Sequence, residues 1–265
     1  MYPYLFGIES PFFDMYTILI IVGILAAVVL FKFLNKRFAT ADKVYNFYSL
    51  LGLVAIGAGL VCSFLFQQVY NLIESARDGT KYEPVGVTFY GGLIGGVLTF
   101  ILGTLFFAKP DVKKEFWSVA NLAAPCIVIG HAFGRYGCYC AGCCYGKPVA
   151  ANHFGIAFPQ AGRRVIPTNL YEALFLTALA AAMLILLLRS KKTDPQLLVY
   201  AFAYAIFRFI IEFYRGDDRG VLIPGLSPSQ WWSIAIFLTA SALAFYVYYL
   251  KRVPFSGRAD RPNSP

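Results

Sequence analysis

Seven apolar segments, each close to the length of a membrane-spanning helix, constrain the fold of this chain more than any other feature. A spanning helix needs about 20 apolar residues, and the segments lie at about 15–34, 44–70, 86–108, 116–134, 170–188, 196–214 and 230–250. Of the 265 residues, 58% are hydrophobic and 14% are charged, whereas soluble domains carry about 25% charged residues. We therefore predict an all-α polytopic membrane protein with seven transmembrane helices.

The distribution of positive charge between the loops predicts how the helices are oriented. Cytoplasmic loops are enriched in Lys and Arg, and fourteen of the 23 such residues fall on one side of the predicted membrane, within 32–43, 109–114, 189–192 and 251–261. We therefore expect the N-terminus outside and the C-terminus inside. The first 14 residues contain no Lys or Arg, so the first segment is predicted to be a retained helix rather than a cleaved signal.

One membrane domain over residues 1–265 accounts for the whole pattern, because no internal repeat is present. Residues 254–265 have the composition of a disordered cytoplasmic tail. The net charge of +9 is explained by the basic loops. No basic run is interleaved with aromatic residues in a soluble segment, which argues against nucleic-acid binding.

Residues 131–146 concentrate reactive side chains at the end of the fourth apolar segment. The stretch reads His-Ala-Phe-Gly-Arg-Tyr-Gly-Cys-Tyr-Cys-Ala-Gly-Cys-Cys-Tyr-Gly. It opens the connection 135–169, which the loop charges place on the extracytoplasmic side. An arginine at the edge of a bilayer is costly unless it meets an anion, and phospholipid phosphate is the richest source of anions there. Arg135 therefore indicates a protein that acts on lipid head groups.

A second group of charges closes the sixth apolar segment. Arg208, Glu212 and Arg215 follow an i, i+4, i+7 spacing, which places them on one helical face. A carboxylate between two guanidinium groups stays ionised and fixes the orientation of their planes. Together with Arg135, these arginines are suited to clamping a phosphodiester. The alternative interpretation is a structural ion pair between helices.

The cysteines allow several interpretations. Four of the six lie within seven residues, at Cys138, Cys140, Cys143 and Cys144. They are compatible with a disulfide, with small buried thiols, with an active-site group, or with a metal or iron–sulfur site. Tetrahedral sulfur sites normally draw their ligands from two separated pairs, so the crowding disfavours a metal, and we predict none.

Three further polar residues lie in apolar segments. Tyr90 carries a hydroxyl that needs a partner when it is buried, and beside arginines it would donate to phosphate or accept a proton. Tyr16 is interpreted as a residue of the aromatic belt at head-group level. His131 is either a satisfied core histidine or a proton acceptor one helical turn from Arg135. Gly92 and the glycine four residues later fit close helix packing.

Five motifs in order resemble the bacterial prolipoprotein diacylglyceryl transferase family, over about residues 10–250. They occupy 90–95 (YGGLIG), 134–137 (GRYG), 167–172 (PTNLYE), 208–215 (RFIIEFYR) and 227–231 (SPSQW). The resemblance implies transfer of the diacylglyceryl group of phosphatidylglycerol to the lipobox cysteine thiol of a prolipoprotein, with release of glycerol 1-phosphate. It also implies a multi-pass protein of the bacterial inner membrane whose active site faces the periplasm.

The resemblance further implies which positions act. Arg135 and Arg208 are expected to be essential, with Tyr90 and Cys143 as further catalytic candidates. The expected substrate-binding residues are Tyr16, Gly91, Gly92, Gly134, Gly137, Cys138, Gly142, Gly146, Tyr171, Glu172, Glu212 and Arg215. No metal and no cofactor is expected. The expected partners are phosphatidylglycerol, a prolipoprotein signal peptide with its lipobox cysteine, and membrane lipids.

The chain departs from the family pattern at three positions. Tyr90 stands where the family usually has a histidine, Cys138 replaces the usual asparagine, and Cys143 replaces the usual glutamate. Either the arginines suffice, or Tyr90 and a cysteine take over, or a related phospholipid-dependent transferase uses another acceptor. A further possibility is a non-enzymatic thiol-redox or metal-binding membrane protein organised by the cysteines.

Overall fold

The computed structural model describes residues 14–79, 81–82, 84, 88–150, 153–158, 161–190, 193, 195–216 and 226–250. The chain is mostly helical. The helices are α1 (Met15–Arg37), α2 (Asp42–Asp78), α3 (Phe89–Phe107), α4 (Pro110–Lys113), α5 (Phe116–Ala141), α6 (Thr168–Ser190), α7 (Gln196–Ile211) and α8 (Pro228–Ala244). A 3-10 turn, Glu212–Tyr214, follows α7, a π turn, Phe245–Leu250, follows α8, and strands β1 (Ile156–Phe158) and β2 (Arg163–Val165) lie between α5 and α6.

Six of these helices, within the described residues, are long and apolar enough to cross a membrane: α1, α2, α5, α6, α7 with its 3-10 turn, and α8 with its π turn. The chain is therefore a multi-pass membrane protein. The third predicted segment corresponds to α3, which is apolar but shorter over its described part, Gly91–Phe107. Helix α5 continues to Ala141 rather than ending near residue 134, so Arg135 and Cys138 lie on a helix and not in a loop.

Local sequence signals explain several helix ends. Asp14 precedes α1 and accepts a hydrogen bond from the Thr17 amide at 3.0 Å. Ser227 and Gln230 form a reciprocal capping box at the start of α8. Gly79 ends α2 in the left-handed conformation that glycine adopts readily. These residues satisfy amides and carbonyls that a helix end would otherwise leave without partners.

The chain divides into two compact units, and residues 39–119 form the smaller one. Small residues let α2 and α3 approach closely within it. A Cβ on Gly92 would lie 3.3 Å from the Gly59 carbonyl oxygen, and a Cβ on Gly91 would lie 2.6 Å from Cβ of Phe66. Gly91 and Gly92 therefore serve packing between these two helices.

The larger unit combines residues 1–38 with residues 120–265. Its main core lies between α5 and α6, where Val128, Leu176 and Met183 are fully buried. Alanines at intervening positions keep these two helices close. A second cluster joins Leu34 of α1 to Leu187 of α6. This packing fixes the α5 and α6 backbones that carry the charged residues described below.

The connection between α5 and α6 is tied down by backbone hydrogen bonds. Strands β1 and β2 pair antiparallel, with Ile156 opposite Val165. Isolated bridges join Gly146 to Arg215 and Pro148 to Val165. The connection is thereby held against the segment that follows α7. The tail predicted over 254–265 lies outside the described residues.

Candidate active site

Glu172 lies at the centre of a group of charged residues. It is fully buried near the start of α6. Its Oε1 lies 3.1 Å from Nε of Arg135 and accepts a hydrogen bond from the Tyr204 hydroxyl at 2.8 Å. Its Oε2 lies 3.6 Å from Nη1 of Arg208. One carboxylate therefore joins α5, α6 and α7.

Arg208 connects Glu172 to a second carboxylate. Its Nη2 lies 2.7 Å from Oε2 of Glu212 and donates to the Ser229 hydroxyl at 2.9 Å. The Ser227 hydroxyl donates to Oε1 of Glu212 at 3.0 Å. These contacts bring the start of α8 into the same group. Because Arg208 is buried, the two carboxylates are what make its charge tolerable there.

Arg215 is the last member of the group. Its Nε lies 4.0 Å from Oε2 of Glu212, and its side chain is 2% exposed. The prediction that Arg215 shares one helical face with Arg208 and Glu212 is wrong. Helix α7 ends at Ile211, and Arg215 follows the 3-10 turn in extended conformation. Glu212 pairs with Arg208 and Arg215 across this change of geometry.

The group forms a chain of alternating charge in the order Arg135, Glu172, Arg208, Glu212, Arg215. Among the described residues, the group holds three guanidinium groups and two carboxylates, an excess of one positive charge. Buried ion pairs seldom add net stability, which favours a functional reason for the group. The side chain of Arg135 is the most exposed of the three arginines, at 14% against 8% and 2%. An anion would therefore meet the excess charge from the Arg135 side.

His131 packs beside the group. Its Nδ1 lies 3.0 Å from the Tyr200 hydroxyl, and its Nε2 lies 4.0 Å from Oε1 of Glu172. The ring also makes an edge contact with Tyr204, the centroids being 4.8 Å apart. The contact with Tyr200 agrees with the core-histidine interpretation for one ring nitrogen, whereas Nε2 faces Glu172 beyond hydrogen-bond distance.

The cysteines divide into a cluster of three and one residue outside it. The sulfur atoms of Cys138, Cys143 and Cys144 all lie within 4.8 Å of one another, whereas Cys140 is not among them. All six cysteines are free thiols, so the disulfide interpretation does not describe this structure. Asn169 donates to the carbonyl of Cys143 at 2.7 Å and to that of Cys138 at 3.4 Å.

Hydrogen bonds among the three thiols shift the pKa values of Cys143 and Cys144 in opposite directions, and the pKa of Cys143 is raised to about 11. Sulfur hydrogen bonds from Cys138 and Cys143 lower the pKa of Cys144 from its usual range. Burial opposes this effect, while the positive charges of Arg215 and Arg135 add to it. The cluster is therefore linked electrostatically to the arginines.

The predicted glycines of the motif serve different purposes. Gly142 has a φ of 73° directly after α5, a conformation that glycine adopts at low cost. A Cβ on Gly146 would lie 2.6 Å from the Tyr214 carbonyl oxygen, so only glycine fits there. A Cβ on Gly137 would lie 3.0 Å from the Tyr16 ring, and one on Gly134 would meet open space.

Tyr16 and Tyr171 lie in the larger unit, and neither makes a described hydrogen bond or ion pair with the charged group. Tyr16 packs on Gly137 near the start of α1, and Tyr171 is 36% exposed on α6. Gly91 and Gly92 belong to the smaller unit. The side chain of Tyr90 lies outside the described residues.

Sequence analysis missed three side chains that hold the charged group in place: Tyr204, Ser227 and Ser229. Tyr204 lies four residues before Arg208 and therefore on the same face of α7. A polar residue at that spacing on an apolar helix was the available signal. The two serines sit in the SPSQW motif, but nothing in their spacing points to charges on another helix.

Fold and site together define a multi-pass membrane protein with a buried arginine–carboxylate group suited to a phosphate-bearing ligand. A sequence model of the prolipoprotein diacylglyceryl transferase family matches residues 3–246, and the chain belongs to this family.

Similar proteins named phosphatidylglycerol–prolipoprotein diacylglyceryl transferase occur in several bacteria. The Clostridium tetani protein is 31% identical over 242 residues, which cover 88% of this chain and 93% of the relative. A Clostridium perfringens protein of that name, numbered 2, is 30% identical over 240 residues, covering 87% and 89%. The Dehalococcoides mccartyi protein is 27% identical over 263 residues, covering 93% of each chain.

Proposed function

We propose that this chain transfers the diacylglyceryl group of phosphatidylglycerol to the lipobox cysteine thiol of prolipoproteins and releases glycerol 1-phosphate. The observation that carries the proposal is the chain of alternating charges with one positive charge in excess. Phosphatidylglycerol bears a single negative charge on its phosphodiester, which matches that excess. The names of the relatives support the same reaction.

The charge change during the reaction explains why arginines are needed. The acceptor sulfur attacks the glyceryl carbon, the carbon–oxygen bond breaks, and the phosphate leaves with the electron pair. A phosphodiester monoanion thereby becomes a phosphomonoester dianion. Arg135 and Arg208, held in place by Glu172, are positioned to stabilise the developing charge. Glu212 and Arg215 support Arg208.

The membrane arrangement forms part of the proposal. It has seven transmembrane helices in one domain, the N-terminus outside, the C-terminus inside, and the site facing the periplasm from the bacterial inner membrane. The loop charges support this orientation. The site residues lie at the ends of α5 and α7 and at the starts of α6 and α8, as expected when helices run alternately through a bilayer.

The remaining site residues are assigned by resemblance. We propose that Tyr90 and Cys143 take part in catalysis. Substrate contact is proposed for Tyr16, Gly91, Gly92, Gly134, Gly137, Cys138, Gly142, Gly146 and Tyr171. The narrow fit at Gly146 and Gly137 supports a structural contribution from these two glycines.

The test is a direct assay of the purified protein. Phosphatidylglycerol and a fluorescent lipobox peptide are supplied, and the peptide is analysed by mass for a thioether-linked diacylglyceryl group. We expect product with the native protein and none with Arg135→Ala at unchanged folding. Full transfer by a folded Arg135→Ala variant would overturn the proposed role of the arginines.

The departures at Tyr90, Cys138 and Cys143 support a second candidate, a related phospholipid-dependent transferase with a different acceptor. It predicts that the native protein binds phosphatidylglycerol but leaves the lipobox peptide unmodified. Restoring His, Asn and Glu at these three positions would then be required for transfer to the peptide. Transfer by the native protein would exclude this candidate.

A further inference from the structure

Three thiols in the cysteine cluster lie at the separation that a metal ion requires. Their sulfur atoms fall within 4.8 Å of one another. For an equilateral triangle with sides of 4.8 Å, the centre lies about 2.8 Å from each corner, and a Zn–S bond is about 2.3 Å long. Because 4.8 Å is the upper limit of the three separations, each sulfur would move inward by at most about half an ångström to bind a central ion.

The backbone around the cluster is held by polar contacts that set the sulfur positions. The Cys143 amide donates to the Cys138 carbonyl at 3.1 Å, and the Thr168 hydroxyl donates to the Cys144 carbonyl at 3.1 Å. Asn169 holds the carbonyls of Cys138 and Cys143. Cys144 has a φ of 59°, which is strained for any residue with a side chain and occurs mainly where function requires it.

Charge and burial also suit a cation with sulfur ligands. Three thiolates around a divalent cation carry one net negative charge, and Arg135 lies three residues before Cys138 on the same helix. Cys138 is buried, while Cys143 and Cys144 are half-buried. Cys143 and Cys144 are therefore partly accessible to a further ligand. Zinc sites with three protein ligands keep the fourth position for substrate or water.

We propose that Cys138, Cys143 and Cys144 bind a thiophilic divalent cation of the Zn²⁺ type and that its fourth position takes the acceptor thiol. This rests on the proposed function, because the acceptor is the lipobox cysteine. The thiol binds as the fourth ligand and releases its proton to water. Its sulfur then attacks the glyceryl carbon, and the phosphate leaves with the electron pair of the broken carbon–oxygen bond.

The site gives a physical role to two of the departures from the family pattern. Cys138 and Cys143 replace an asparagine and a glutamate, so a carboxylate that could take the thiol proton is absent at position 143. A coordinating thiol is deprotonated by the metal itself. The cation would therefore perform the task of a general base.

Cobalt binding tests the site without any assay of transfer. The purified full-length protein is reduced, freed of metal with a chelator, and titrated with Co²⁺, whose thiolate complexes absorb in the near ultraviolet. We expect saturation at one Co²⁺ per protein and displacement by Zn²⁺. Because Cys138 is buried and its replacement can disturb folding, Cys143→Ser and Cys144→Ser carry the test and should weaken binding at least about 100-fold.

Cys140→Ser is the matched control, because it removes a thiol from the same stretch but not from the cluster. It should keep the native Co²⁺ affinity. Absence of the absorption band in the native protein, or its retention in Cys143→Ser, would overturn the metal site. Equal loss of binding in Cys140→Ser would do the same.

The open position is tested by adding peptides to the cobalt-loaded protein. A lipobox peptide with a free cysteine should intensify the charge-transfer band, and the same peptide with serine in that place should not. If the intensity of the band does not change when the thiol peptide is added, the proposal that the acceptor thiol is the fourth ligand is wrong. Cobalt binding without diacylglyceryl transfer would instead count against the proposed reaction, so the two failures are distinguishable.

Discussion

The C-terminal end of α5 carries two kinds of chemistry that are built in different ways. Arg135 belongs to a group of charges drawn from three helices and the segment after α7, with partners as far away in sequence as Glu172 and Arg208. The cysteine cluster takes all three sulfur atoms from residues 138–144. The first arrangement depends on packing of the whole larger unit, whereas the second depends on one turn and the contacts of Asn169.

Changes to the charged group should therefore have larger effects than changes to the cysteine turn. A buried charge loses part of its compensation when one of its partners is removed, which is costly in free energy. Replacing a half-buried thiol leaves no buried charge without a partner and therefore carries no such cost in free energy.

Arg208→Ala should have the largest effect, because it leaves Glu172 and Glu212 without their shared partner. We expect transfer to fall at least about 100-fold and the free energy of unfolding to fall by about 3–5 kcal/mol. Transfer assays and denaturant unfolding in detergent measure the two effects. Arg189→Ala, an exposed residue in the last turn of α6, is the control; similar losses in both variants would contradict the special role of Arg208.

Tyr204→Phe removes the hydroxyl that donates to Glu172. Hydrogen bonds to charged groups contribute about 1.5–3 kcal/mol, so unfolding should become easier by that amount. Tyr200→Phe is the matched variant, because its hydroxyl faces His131 and a neutral hydrogen bond contributes about 0.5–1.5 kcal/mol. A larger loss from Tyr200→Phe would mean that Glu172 does not depend on Tyr204.

Gly146→Ala and Gly134→Ala should have effects of opposite sign. A Cβ at position 146 would approach the Tyr214 carbonyl oxygen to 2.6 Å, and overpacking of this kind costs about 1–3 kcal/mol. Position 134 has open space and is helical, so alanine there should stabilise by up to about 1 kcal/mol. Thermal unfolding of the two variants measures the difference. Equal melting temperatures would show that the contact at Gly146 relaxes freely.

Cys140→Ser should have the smallest effect of all. The residue is half-buried and lies outside the cysteine cluster, and substitutions away from special features change stability by less than about 0.5 kcal/mol. Transfer and unfolding should both match the native protein. A marked loss of transfer would mean that Cys140 contributes to the site although it lies outside the cysteine cluster.

Sequence analysis located the helices well because each is a long apolar run between polar or proline-containing segments. It placed the end of α5 too early, since the helix continues through Arg135 and Cys138, whose polarity resembles that of a loop. Sequence analysis could predict only part of the charge pairing. The spacing of Arg208 and Glu212 is local, but the meeting of Arg135 with Glu172 depends on how α5 and α6 pack.

The cysteine cluster shows a different limit of sequence analysis. The crowding of four cysteines within seven residues disfavoured a four-ligand site in the sequence analysis, and the structure groups three of the four sulfur atoms, with Cys140 outside the cluster. The convergence of the other three requires the left-handed backbone at Gly142 and Cys144. Glycine signals such a turn, but a cysteine in that conformation gives no sequence signal.

The alternating charges also restrict the order in which the protein can be assembled. During synthesis α5 enters the membrane before α6, so Arg135 lacks its ion-pair partner Glu172 until α6 has been made. Arg208 arrives only with α7, and its contact with Ser229 forms last, when α8 is made. Because an arginine without a partner in a bilayer is costly, α5 on its own should insert poorly or slide toward the membrane surface until α6 follows. Nascent chains that are arrested after α5 and before α6 should therefore show incomplete membrane insertion of α5.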